Sequence, residues 1–107
     1  MNKNRCAHVF LIQEGDPKKH HQVLETSKVR IEIYAVDCYE KGEALSKQLV
    51  DDGILLIELC ESWGYEGAAR ISRAVQHRVP VGVITHPQQN ARGLSEIMKG
   101  SENTYNK

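Results

Sequence analysis

The sequence predicts an α/β fold, on two observations. Short apolar runs alternate along the chain with segments whose apolar residues recur every three or four positions, the pattern of βαβ units on a parallel sheet. The runs also differ in kind. Those at 7–13 (AHVFLIQ) and 54–60 (ILLIELC) are apolar on both faces, as central strands must be. The run at 29–36 alternates, and the run at 79–86 carries Pro80 and Gly82, which belong at an edge. A small open parallel sheet of four strands in order 2-1-3-4 satisfies all of this, a flavodoxin-like or Rossmann-like three-layer sandwich.

Each element has a local signature. After the first strand, Asp16 can cap a helix and Pro17 suits its first position, so a helix is expected over 17–26. The second strand, VRIEIYAV, sets Ile31, Ile33 and Ala35 against Arg30, Glu32 and Tyr34. Asp37 with Glu40 reads as a capping box opening a second helix, whose Leu45 and Leu49 face the core until Asp52-Gly53 stops it. A third helix is expected over 64–78, burying Ala68, Ile71, Ser72 and Val75. A weak helix follows at 92–99. Residues 101–107 (SENTYNK) are expected to be a disordered tail.

At 107 residues the chain is one domain, read as 1–100 plus that tail. Fourteen basic side chains balance fourteen acidic ones, with a pI near 7.0. A nucleic-acid or anionic-membrane surface needs a basic excess, so neither partner is expected. The apolar stretch at 9–12 is too short for a signal segment or a membrane span. Cys6, Cys38 and Cys60 form neither an even disulfide set nor a CxxC knuckle. The reading is a cytoplasmic domain with reduced thiols.

Ligands of such sheets bind beyond the carboxyl ends of the strands, where the order reverses. That crevice lies between the first and third strands, where the loop Gln13-Glu14-Gly15-Asp16 meets the stretch ELCESWGYEG, residues 58–67. The third helix begins there, with its free N–H groups toward the crevice. Gly64 and Gly67 would let an anion approach the backbone. Glu58 shares a strand face with Cys60 by period two. It is either a general base or an ordinary group, the salt partner of Arg70 or a solvated strand end. Cys60 is a nucleophile activated by the helix dipole or a small core residue. Glu61 and Glu66 suit a helix N-terminus with no further role, although Glu61 would compete with an anion. Trp63 and Tyr65 form a lid or stacking wall, or fill an oligomer interface. His20 and His86 complete the expected ligand set. His20 and His21 diverge too far on a helix to share a metal ion, so no metal site is assigned.

The stretches VFLIQEGDPKKHHQVLET, LLIELCESWGYEGAARISRAV and VPVGVI resemble a family of short bacterial α/β proteins catalogued as a domain of unknown function. The best-matched pieces are Gly15-Asp16-Pro17 with His20, the run Ile57-Glu58-Leu59-Cys60, and Val79-Pro80-Val81-Gly82-Val83. The resemblance implies a compact α/β domain and brings no established activity or cofactor. The family pattern is richer in glycine after the cysteine, where this chain has Glu61-Ser62. A Gly-Gly loop would cradle an anion better.

Two functions compete. One is a small-molecule-binding module, with an anion among its candidate ligands. The other is a small enzyme using Glu58 as acid or base and Cys60 as nucleophile. The absence of a Ser-x-Gly elbow, Walker loop, HExxH or GxGxxG favours the module. Two unpaired sheet edges, one of them a fourth strand with no charge to blunt it, add an expected homodimer or larger homo-oligomer, using the third helix or fourth strand.

Overall fold

The computed structural model describes residues 3–100. Its strands are β1 (Asn4–Leu11), β2 (His21–Glu25), β3 (Val29–Val36), β4 (Leu56–Leu59) and β5 (Val81–Val83), and its helices α1 (Tyr39–Asp51), α2 (Gly64–Ala74) and α3 (Ala91–Gly100). They form one open five-stranded sheet in the order β2-β3-β1-β4-β5. All pairings are parallel except β2 with β3. The expected order of four parallel strands is present within it, with β1 central and β5 at an edge.

The additional strand, β2, corrects the expected first helix. Asp16 and Pro17 do start a turn: Lys19 and His20 donate their N–H groups to the Asp16 carbonyl, and Asp16 Oδ1 accepts from Lys18 N–H. His20 then folds back and its Nδ1 accepts from Asp16 N–H at 2.9 Å, which ends the coil after one turn. The chain continues as HQVLE, whose odd positions stand on one face; His21 stacks on Tyr34 of β3 at 4.6 Å. Thr26 closes the hairpin by accepting from Lys28 and Val29 at its hydroxyl. Short-range helix signals lost here to a cross-strand pairing that satisfies an entire edge of β3. Gly15 anchors the turn, because a Cβ there would come within 2.6 Å of the Val36 carbonyl oxygen.

Other boundaries also shift. The Asp37–Glu40 capping box does not form: α1 starts after Cys38 without a side-chain cap, and Asp37 pairs with Lys41 at 3.0 Å. α2 stops at Ala74, ahead of the expected 78, because Gln76 and His77 adopt positive φ. The run at 79–86 pairs as strand over only Val81–Val83. The expected tail, 101–107, lies outside the described residues.

Burial follows strand parity. Ala7, Val9, Leu11, Val36, Ile57 and Leu59 are buried with Leu49 of α1 and Ile71 of α2, forming the core on one face of the sheet. On the same face, beyond α1, a charged network replaces helix cover. Glu32, 3% exposed, accepts from Arg5 at 2.7 Å, Arg30 at 3.2 Å and the Tyr34 hydroxyl at 3.0 Å. Arg5 also reaches the Asp52 carbonyl at 2.6 Å, closing the C-terminus of α1. Hydrogen bonds from Arg5 hold the Glu32 carboxyl below its ordinary range against the opposing effect of burial.

The opposite face is not covered by α1 or α2. Its strand positions include Cys6, His8, Ile31, Ile33, Leu56 and Glu58, all half-buried. Phe10 is 37%, Ile12 38% and Leu24 61% exposed on that side.

Candidate functional site

The crevice between the carboxyl ends of β1 and β4 is closed by side chains that continue the sheet ladder. Ser62, 2% exposed, donates its hydroxyl to the Leu11 carbonyl at 2.7 Å. With that proton committed, Cys60 S–H donates to Ser62 Oγ across 2.9 Å, and Cys60 Sγ accepts Leu11 N–H at 3.4 Å. Trp63, expected as a lid or stacking wall, is fully buried, and its indole N–H donates to the Val9 carbonyl at 2.9 Å. Its ring fills a slot between the helices. A Cβ on Gly42 would overlap it, and one on Gly67 would come within 3.0 Å of both it and Tyr39. Gly67 is therefore a packing position rather than an anion approach. These contacts make the residues after β4 a joint between the sheet and α2.

Glu58 and Cys60 do not share a pocket. Glu58 stands on the uncovered sheet face beside His8, its register partner on β1, with its carboxylate laid over Gly82 on β5. Arg70, one of the alternatives weighed as a partner for Glu58, instead pairs with Glu43 at 2.9 Å and stacks over Tyr39 at 4.7 Å, joining α2 to α1. Gln13 is exposed at the end of β1, and Asp16 and His20 are engaged in the turn that follows. These three do not meet the residues that follow β4 in one cavity.

Four of the expected residues do converge. Glu61, Gly64, Tyr65 and His86 line a cleft of about 320 Å³ at the carboxyl ends of β4 and β5. Val83, Ile84, Pro87 and Leu94 supply its apolar walls, and Thr85 and Gln88 add polar groups. One wall is the start of α2, where the Gly64 N–H is taken by the Glu61 carbonyl and the next N–H groups have no acceptor within the helix. Tyr65, 77% exposed, overhangs the cleft. Ile84, Thr85, Pro87 and Gln88, with Leu94 of α3, were the part of this site that sequence reading missed. The signal lay in Pro87, which breaks the apolar run and leads the chain into α3 at the same cleft. Among the described residues, no three His, Cys, Asp or Glu side chains cluster to hold a metal ion. No helix among them is long and apolar enough to cross a membrane.

The chain belongs to the Family of unknown function (DUF6506), whose model matches residues 4–99. Neither the curated proteins nor the solved structures provide a significant match.

Proposed function

We propose that this family member is a small-molecule-binding module whose site is the cleft at the ends of β4 and β5. The observation that carries the reading is the meeting of Glu61, Gly64, Tyr65 and His86 with apolar walls in one concavity beside a helix N-terminus. Such a mixture of an apolar lining with a few polar groups is the usual make-up of ligand pockets. The cleft suits a small, mainly apolar molecule with one polar or anionic end. The body would lie on Val83, Ile84 and Leu94 under Tyr65, and the polar end would meet His86, Thr85 and the first amides of α2. Glu61 disfavours a multiply charged ligand there. The site is displaced by one strand from the reversal point expected from topology, because the ladder of Cys60, Ser62 and Trp63 occupies that point.

The catalytic alternative needs Glu58 and Cys60 together, and no shared pocket supports it. The module works in the cytoplasm, with its three cysteines free, and as a homo-oligomer. A thermal-shift screen of small carboxylates and monophosphates with apolar bodies tests the reading. Hits should raise the melting temperature of the native protein, and both His86→Ala and Tyr65→Ala should abolish or sharply reduce the rise. Hits unaffected by both substitutions would refute the site.

A further inference from the structure

The uncovered sheet face holds an acid and a base side by side in an otherwise largely apolar field. His8 on β1 and Glu58 on β4 are register partners at the middle of that face, flanked by Cys6 and Leu56 on one side and Phe10 on the other. The Glu58 carboxylate leans over Gly82, on the side of β4 away from His8, and forms no ion pair among the described residues. α1 and α2 pack on the other face, and α3 closes the cleft beyond β5 instead of lying across the strands. An open sheet face carrying Phe10, Ile12, Ile31, Ile33 and Leu56 is a contiguous apolar patch of the kind that marks an interaction site.

We infer that this face packs against the same face of a second copy, with His8 of each subunit paired to Glu58 of the other. Register dictates the symmetry. A two-fold axis parallel to the strands and midway between β1 and β4 lays β1 of one subunit over β4 of the other at the same height. His8 then stands opposite the partner's Glu58, twice, as an isologous contact requires. Sheets stacked this way sit ~10 Å apart, a distance two facing side chains span. The imidazole N–H donates to the carboxylate, so the one acidic group on the face is not buried alone. Strands spaced ~4.8 Å with a rise of ~3.3 Å per residue give the face a footprint of roughly 500 Å². Two such footprints reach the ~1,000 Å² that a specific interface should clear. The short β5 and the exposed β2 offer no comparable area at the edges.

The test is sedimentation equilibrium of the full chain from one to one hundred micromolar, with far-UV circular dichroism as the check on folding. The wild type should be a dimer. His8→Glu, which sets two carboxylates against two others, should weaken dimerisation at least about tenfold, since like charges across an interface are strongly unfavourable. Glu58→His, which removes the carboxylate acceptor from each pair, should also weaken dimerisation. The double variant His8→Glu with Glu58→His restores both pairs and should recover most of the lost affinity. Ile33→Lys, beside His8 on the same face, should also give a folded monomer. A wild type monomeric throughout, or a dimer indifferent to His8→Glu and to Ile33→Lys, would overturn the inference. The cleft lies at the strand ends, so His86→Ala should leave dimerisation unchanged, separating this result from the fate of the ligand site.

Discussion

The indole N–H of Trp63 reaches the backbone carbonyl of Val9 at 2.9 Å, binding the loop after β4 to the central strand from inside the core. The contact accounts for an aromatic residue in a run of polar ones. Trp63 lies under Gly42 of α1 and Gly67 of α2, two positions where a side chain has no room. Gly42→Ala should destabilise the fold by about 1–3 kcal/mol through overpacking, read as a lower midpoint in urea. A neutral Gly42→Ala would mean that the ring is not confined as described.

The ladder of Cys60 and Ser62 carries a second expectation. Ser62→Ala leaves the buried Leu11 carbonyl without its donor and should cost about 1–3 kcal/mol. Ligand binding per folded molecule should not change, because Ser62 lines no part of the cleft. A variant of native stability with altered binding would reverse the assignment of this stretch as a joint.

How much of this was legible in the sequence is clear from particular residues. The four parallel strands and their order could be read because β1 and β4 carry apolar residues at successive positions, whereas β3 alternates and β5 carries Gly82. α1 and α2 followed from the spacing of Leu45, Leu49, Ile71 and Val75. The region 17–26 misled because Asp16 and Pro17 are sound helix starters, and they do start one turn. What stops it is the reach of His20 back to the Asp16 N–H, a contact that periodicity does not encode. The site was half legible. Glu61, Gly64, Tyr65 and His86 could be named from their place at strand and helix ends. Trp63 could not be distinguished from Tyr65, since one ring in two points inward for reasons that lie in Gly42, more than twenty positions earlier.

The turn itself gives a third prediction. His20→Ala removes the acceptor for Asp16 N–H and should cost about 1 kcal/mol, whereas His20→Asn, which keeps an acceptor near the same place, should cost less. Gly15→Ala should be worse than either, as its methyl would meet the Val36 backbone. Equal and negligible effects for all three would show the turn to be a solvated loop, and would return Asp16 and His20 to the pool of ligand candidates.

The network around Glu32 sets a pH window. Arg5, the largest influence, keeps the folded-state carboxyl below its ordinary range. A depressed pKa contributes stability above the unfolded value of ~4.3 and loses it as pH falls through the folded value. Tyr34, raised to about 12 mainly by burial and then by Glu32, has the opposite sign. Its contribution is complete below the unfolded value of ~10 and is lost as pH rises toward the folded one. Glu32→Gln should cost about 3 kcal/mol at neutral pH by removing the buried carboxylate that Arg5 and Arg30 share, which leaves them only the exposed Asp52 and Glu25. It should also flatten the fall in stability below pH ~4.3. Urea titrations across pH check both, and an unchanged acid limb in the variant would contradict the assignment.

The cleft between the start of α2 and the end of β5 is tested most directly by amide chemical-shift mapping with a ligand found in the thermal screen. The account predicts perturbations concentrated at residues 61–65, 83–88 and 91–94, with Gln13, Asp16 and His20 silent. Shifts centred on the turn after β1, or on Glu58 and the uncovered sheet face, would contradict it.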